Sequence, residues 1–297
     1  LLAGTNFHSG DKLTGGKNGY GAKLANIFST QFILETVDSV RKKKYCQKFE
    51  NNMSVINKPS IRSYSGKPYT QIEYDLDFSR FSIDEYSDDI MSLFKKRVYD
   101  ISCWVGKSVN VYYNGLKLNL DLESYIKLYK GVTDKNVVVS KLSPRWEIGI
   151  TTSNDDILQS MSFVNGINTY MGGKHVDCIV DLISKKIIEH IKKKKKIVIK
   201  PCIARTQMYV FIKASIVNPS FTSQTKEYCS TPKNKFGSIP EISQKLADKI
   251  ISDTDIVKNI IENHEYKNKK KLKVNDGSKK NKIVVDKLSD ANFAGGN

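Results

Sequence analysis

Between Thr14 and Leu24 the chain places four glycines, an amide and two lysines in the run Thr14-Gly15-Gly16-Lys17-Asn18-Gly19-Tyr20-Gly21-Ala22-Lys23-Leu24, and then enters an apolar periodic stretch. Glycine lets the backbone adopt positive φ and approach a ligand closely, so that successive amides and the positive end of a helix can face an anion. A loop closed by a C-cap glycine is the plainer reading of a glycine-rich turn. The residues that follow, Ala22, Leu24, Ala25, Ile27 and Phe28, favour a phosphate cradle that opens a helix.

Register excludes the two commonest phosphate loops. A Walker loop needs G-x-x-x-x-G-K-[ST]; Gly16 and Gly21 have that separation, but Ala22, Lys23 and Leu24 follow, so the lysine is one place late and the hydroxyl is missing. A dinucleotide fingerprint through Gly19 and Gly21 requires a small residue where Leu24 stands.

The formal charge of +17 suits a polyanionic partner, and no apolar run approaches a membrane span. Five cysteines, Cys46, Cys103, Cys178, Cys202 and Cys229, stand singly with no C-x-x-C pair, against both a disulfide framework and a zinc site. The 297 residues suffice for two domains with real cores. The opening at Leu1 and the ending Ala294-Gly295-Gly296-Asn297 read as those of an internal fragment.

Strands are expected over Gln31–Val37, Tyr45–Phe49, Thr70–Tyr74, Arg145–Ile150 and Tyr209–Val217. Asn114-Gly115 between two alternating runs predicts a hairpin. Ser87-Asp88-Asp89 caps a predicted helix with Ile90, Phe94, Val98 and Ile101 on its apolar face. After the turn at Gly172-Gly173, a second helix carries Val176, Ile179, Val180, Ile183, Ile187 and Ile191 on one face, Asp177 and Asp181 near its start, and Lys192, Lys193, Lys194, Lys195 and Lys196 at its end. From Tyr266 to Lys282 little can be buried, and a flexible connector is expected.

The string Gly16-Lys17-Asn18-Gly19-Tyr20-Gly21-Ala22-Lys23, followed by Asn26-Ile27-Phe28-Ser29-Thr30, resembles the phosphate-binding box of type II DNA topoisomerases. Far downstream, Asn218-Pro219-Ser220-Phe221-Thr222-Ser223-Gln224-Thr225-Lys226-Glu227 resembles their Q-T-K loop. Weaker similarity, including Gly172-Gly173-Lys174-His175-Val176-Asp177 and Ser289-Asp290-Ala291-Asn292, extends over nearly the whole chain.

The resemblance implies a mixed α+β and α/β fold of two-layer sandwiches: a partial Bergerat (GHKL) ATPase domain over residues 1–120, a transducer domain over 121–265, and a basic connector over 266–297 toward a metal-binding cleavage module. It further implies that Gly4, Thr5 and Asn6 lie at the nucleotide, with only Asn6 closely matching the family's S-S-N stretch. Gly16, Lys17, Asn18, Gly19, Tyr20, Gly21, Ala22 and Lys23 would wrap the triphosphate. Gln224 and Thr225 would position the loop, and Lys226 would reach the γ-phosphate as the catalytic charge.

ATP and Mg²⁺ are the implied cofactors, with the Mg²⁺ ligand and the water-activating glutamate expected upstream of Leu1, so the isolated chain is expected to hydrolyse ATP negligibly. Double-stranded DNA and a second copy, joined through the ATPase gate, are the implied partners. The nucleus, or a viral factory for a viral protein, is the implied location.

The lysine run 192–196 exceeds what a helix dipole explains, which points to DNA phosphates. Arg41-Lys42-Lys43-Lys44 reads mainly as an exposed hairpin tip, His175 as a structural histidine, and Trp104 and Trp146 as core aromatics. The resemblance implies the ATP-binding gate of a type II topoisomerase, which couples ATP binding and hydrolysis to double-strand DNA passage; two alternatives stand beside it, a MutL-like mismatch-repair ATPase and a non-catalytic basic DNA-binding module.

Overall fold

A computed structural model describes residues 10–16, 19–129, 132 and 136–266. Helix α1 (Tyr20–Ile27) leads into β1 (Ser29–Asp38). Then come β2 (Lys43–Glu50), β3 (Val55–Ile56), β4 (Ser60–Ser63) and β5 (Thr70–Leu76). Strand β1 pairs antiparallel with β2 on one side and β5 on the other, while β3 and β4 both pair with β2.

Register sets the centre of this sheet. Phe32 stands directly opposite both Phe49 and Tyr74, and is fully buried with ring centroids 6.2 Å and 6.3 Å from them. Burying one phenylalanine contributes about 1.5–3 kcal/mol. At the sheet's end Glu35 accepts a hydrogen bond from the Tyr69 hydroxyl and pairs with Lys44 at 2.8 Å. Arg41 pairs with Asp38 at 2.7 Å, so two of the four cations at the hairpin tip are already committed.

Helix α2 (Asp88–Val105) is capped as expected, the Ser87 hydroxyl accepting from Ile90 N–H at 3.3 Å. Its buried face differs from the apolar periodicity: Phe94 and Ile101 are exposed, while Asp100, Ser102 and Cys103 are buried. Asp100 accounts for the difference. Its carboxylate accepts from Lys96 at 2.9 Å, the Tyr125 hydroxyl at 2.6 Å and Asn168 Nδ2 at 2.8 Å, and a buried carboxylate so partnered anchors the helix to the elements that follow.

Strands β6 (Val111–Tyr113) and β7 (Leu116–Leu118) form the expected hairpin, with Asn114 and Gly115 at φ 49° and 79°. Helix α3 (Leu122–Ile126) is capped by Asp121. The second sheet comprises β8 (Val138–Ser143), β9 (Trp146–Thr152), β10 (Gln159–Val164), β11 (Ile167–Asn168) and, after helices α4 (Lys174–Lys195) and α5 (Pro201–Thr206), β12 (Met208–Ala214). Its order is β11-β10-β12-β9-β8, and β10 runs parallel to β12 because α4 and α5 carry the chain back between them. Helix α6 (Gln244–Asp253) follows.

Strand alternation gives this sheet two apolar faces. Ile148, Ile150, Val210, Ile212 and Ala214 join Val176, Ile179, Ile183 and Ile187 of α4 and Leu246 and Ile250 of α6. On the opposite face, Phe163 and Phe211 meet Cys103, Leu122, Tyr125 and Ile126. Gly149 faces that side because a Cβ there would stand 2.1 Å from Ile126 Cδ1. Helices thus cover both faces of the second sheet, and together with the antiparallel first sheet this makes a mixed α+β fold with the lysine-tipped helix α4 on one outer face.

Candidate functional site

The start of α1 carries a left-handed glycine cap and an acid-free first turn. Gly19, its N-cap, has φ 66° and ψ 18°, a left-handed conformation that glycine adopts without steric cost. Among the described residues no side chain caps the first turn, and no carboxylate stands in it to oppose an anion at the positive helix end. A Cβ added at Gly16 or Gly21 would meet nothing within 4 Å. Tyr20 and Ala22 are exposed and Lys23 is half-buried. Leu24 and Ile27 remain exposed, and the buried residue of this helix is Asn26. Gly4, Thr5, Asn6, Lys17 and Asn18 lie outside the described residues.

The distant Gln-Thr-Lys segment forms the tip of a short hairpin. Ser230 N–H donates to Ser220 O at 2.9 Å and Thr222 N–H to Tyr228 O at 3.2 Å. The tip is closed by Lys226 N–H donating to Ser223 O at 3.1 Å and by a 2.7 Å contact between the Ser223 and Thr225 hydroxyls. Gln224 and Thr225 are exposed and Lys226 is half-buried. Lys226 has φ 61°, a region that non-glycine residues occupy only at a cost, so its surroundings hold it there.

A two-bond clasp joins the two segments across 206 residues. Asn218 N–H donates to Lys12 O at 2.9 Å, and Lys12 N–H donates to Asn218 Oδ1 at 3.3 Å. Asn218 stands just ahead of the hairpin and Lys12 just ahead of the glycine loop. Gly15 lies against the second sheet as well, since a Cβ there would be 2.1 Å from Ile167 Cδ1. Nothing local in either segment signalled this clasp.

The hairpin is also sewn to the start of α4. Met171 N–H donates to Glu227 O at 3.1 Å, Cys229 N–H to Gly172 O at 3.1 Å, and Lys174 N–H to Cys229 O at 3.0 Å. Gly173, at φ 147°, has no room for a side chain, because a Cβ would stand 2.4 Å from Cys229 O. From that joint α4 extends 22 residues, about 33 Å at 1.5 Å per residue, to Lys192, Lys193, Lys194, Lys195 and Lys196, all exposed. Lys196 closes the helix in a left-handed conformation at φ 56°.

His175 is fully buried beside the joint, its Nε2 3.3 Å from Thr169 Oγ1, and desolvation pushes its pKa down to about 3. Among the described residues no three His, Cys, Asp or Glu side chains gather as a metal site, and no helix is long and apolar enough to cross a membrane. The described cysteines are all free. Trp146 is buried, whereas Trp104 is half-buried with Lys213 Nζ 6.0 Å from its ring centroid.

Gly19 and the α1 start offer backbone N–H groups, and Lys23 and Lys226 offer positive charge, the kinds of donor that a polyphosphate takes. None of these groups would hold a metal by itself.

Residues 117–280 match the family model described as DNA gyrase B. DNA topoisomerase 2 of Saccharomyces cerevisiae is 41% identical over 99% of this chain, and the chain spans 22% of that relative. The Arabidopsis thaliana DNA topoisomerase 2 is 38% identical over 100% of this chain, which spans 21% of it. The chain thus spans about a fifth of the length of the curated relatives it matches. Among solved structures, the ATPase and transducer domains of DNA topoisomerase II from Balamuthia mandrillaris superpose with TM-score 0.83 at 35% identity, over 91% of this chain and 70% of that one. The ATPase region of Saccharomyces cerevisiae topoisomerase II gives 0.81 at 41%, over 89% and 69%.

Proposed function

The chain belongs to the type II DNA topoisomerases, in their ATPase and transducer region, and from that premise we propose that it binds ATP between the glycine loop and the Lys226 hairpin, as half of a gate that captures one DNA duplex for passage through another. The clasp between Lys12 and Asn218 is the observation that supports this reading, because it ties the chain just ahead of the glycine loop to the chain just ahead of the Lys226 hairpin. Neither alternative reading, mismatch-repair ATPase or passive DNA-binding module, is favoured by the family to which the chain belongs.

In this reading the backbone of Gly16, Gly19, Tyr20, Gly21 and Ala22, with Lys23, holds the phosphates, joined by Lys17, Asn18 and, at the nucleotide, Gly4, Thr5 and Asn6. Lys226 supplies positive charge where negative charge develops in phosphoryl transfer, and Gln224 and Thr225 aim the tip that carries it. ATP supplies the transferable phosphoryl group. Once that charge is gone, Lys226 loses its partner, and the hairpin is free to move against the glycine loop. Mg²⁺ accompanies the triphosphate in this proposal, and no step is assigned to it.

The proposed division is an ATPase part over 1–120, a transducer over 121–265 and a connector over 266–297. Two copies would meet at the ATPase part. The location proposed is the nucleus, or a viral factory for a virus-borne protein.

A gate is distinguished from a passive binder by topology. With a non-hydrolysable ATP analogue, the intact protein is expected to retain circular duplex DNA through a high-salt wash and to lose linear DNA, since entrapment does not depend on counterions as phosphate binding does. Equal loss of both forms would exclude the gate.

The run Lys192–Lys196 is proposed to touch DNA phosphates. Changing all five to glutamine is expected to weaken binding to every sequence alike and to flatten the plot of log affinity against log salt by about 0.9 for each phosphate that the variant no longer neutralises. An unchanged slope would remove the lysines from the interface.

A further inference from the structure

The segment that joins the Lys226 hairpin to α4 is held to the hairpin by a Tyr170–Glu227 side-chain hydrogen bond and is itself braced by a buried side-chain contact between Thr169 and His175. Thr169 is bolted to β10: its N–H donates to Ser162 O at 2.8 Å, its hydroxyl donates to the same oxygen at 3.1 Å, and the Ser162 hydroxyl lies 3.0 Å from Thr169 O and 2.6 Å from Thr169 Oγ1. His175 stands in the first turn of α4, with Nε2 3.3 Å from Thr169 Oγ1. Ser162, Thr169 and His175 are all buried.

Proton accounting fixes the direction of the tie. The tautomer protonated on Nδ1 would bury an N–H that has no partner among the described residues, so His175 donates through Nε2–H, and Thr169 Oγ1 accepts while its own proton is placed on Ser162 O. Nδ1 then carries the lone pair, and it is the ring nitrogen with no partner among the described residues. A protonated ring would strand a buried N–H there, so the imidazole is neutral.

The tie closes residues 169–175 into a loop whose apex, Met171 to Lys174, carries all three backbone bonds to the hairpin. With the loop closed, displacement of the hairpin must move β10 and α4 together. With it open, the turn keeps its backbone bonds, Gly172 N–H to Thr169 O at 2.8 Å and Val176 N–H to Gly173 O at 2.9 Å, but loses the side-chain brace between its ends, so the coupling of the tip to the helix should loosen.

We propose that His175 is a positioning residue: through Thr169 it fixes the Lys226 tip for phosphoryl transfer and makes the hairpin and α4 move as one body. The inference rests on the nucleotide reading above for the first of these roles and stands on the joint's geometry for the second.

Three variants of the intact protein test it: Thr169→Val, which removes the acceptor at nearly constant volume, His175→Phe, which removes the donor, and His175→Gln, which keeps an N–H at similar reach. For Thr169→Val and His175→Phe, kcat for ATP is expected to fall about tenfold with KM within about twofold, and more ATP is consumed per DNA passage. His175→Gln is expected to recover most of both. Combined with Lys226→Met, Thr169→Val should add no further loss of kcat, since both act on one charge.

A folded Thr169→Val protein with unchanged kcat and unchanged ATP per passage would overturn the proposal, as would losses that multiply in the combined variant. Should Lys226→Met alone leave kcat intact while Thr169→Val still raises ATP per passage, the nucleotide reading falls and the mechanical tie stands. If neither variant has an effect, both fall.

Discussion

In the intact protein, Lys226→Met is expected to slow ATP turnover by about 10²- to 10³-fold while leaving KM for ATP little changed, the pattern left by removing charge that acts only in the transition state. Methionine preserves an unbranched apolar stem and deletes the ammonium. The hairpin should survive the change, because its closing bonds come from backbone and from the Ser223 and Thr225 hydroxyls rather than from the lysine head. Arginine should rescue only in part, since a planar fork does not place charge as a compact ammonium does. Steady-state kinetics decides the matter: turnover within about threefold of the unmodified protein would leave Lys226 as a surface charge.

Gly173→Ala is expected to be the most damaging single methyl in the joint. The added Cβ would stand 2.4 Å from Cys229 O and 2.8 Å from Cys229 N, and both are backbone atoms that cannot swing aside. At φ 147° an alanine is strained even before that clash. Strain and overpacking of this kind each cost about 1–3 kcal/mol, so a loss of about 2–6 kcal/mol is expected in denaturant unfolding, together with loss of ATP turnover as the hairpin shifts. Gly21→Ala is the control for stability, because its Cβ meets nothing within 4 Å. An alanine at 173 as stable and active as glycine would mean that the hairpin is not held by this joint.

Elements governed by local pattern were legible from the sequence. The apolar seam from Val176 to Ile191 is buried at every expected position, the Asn114-Gly115 hairpin forms, and the strands expected from 31, 45, 70, 145 and 209 appear as β1, β2, β5, β9 and β12. Helix α2 was legible in extent and not in orientation. Its periodicity nominated Phe94 and Ile101, whereas its inward face is set by Asp100, whose partners Tyr125 and Asn168 lie on other elements and leave no trace in spacing.

The candidate site divides in the same way. The glycine loop and the Gln-Thr-Lys tip are local signatures of backbone conformation and charge. Their connection through Lys12 and Asn218, and the fit of Gly173 against Cys229, depend on residues brought together only by the fold. The left-handed conformation of Lys226 belongs with them, since lysine has no intrinsic preference for it.

In the proposed gate the start of α1 and the Lys226 hairpin face the same triphosphate. An ATP analogue bearing a photoreactive group on its γ-phosphate, cross-linked to the intact protein and mapped by mass spectrometry, tests this most directly. Adducts are expected both within residues 19–23 and within 223–227 of the same preparation, and competition by unlabelled ATP should remove both. Labelling confined to the glycine loop, with the hairpin unmodified at saturating analogue, would mean that Lys226 does not reach the triphosphate.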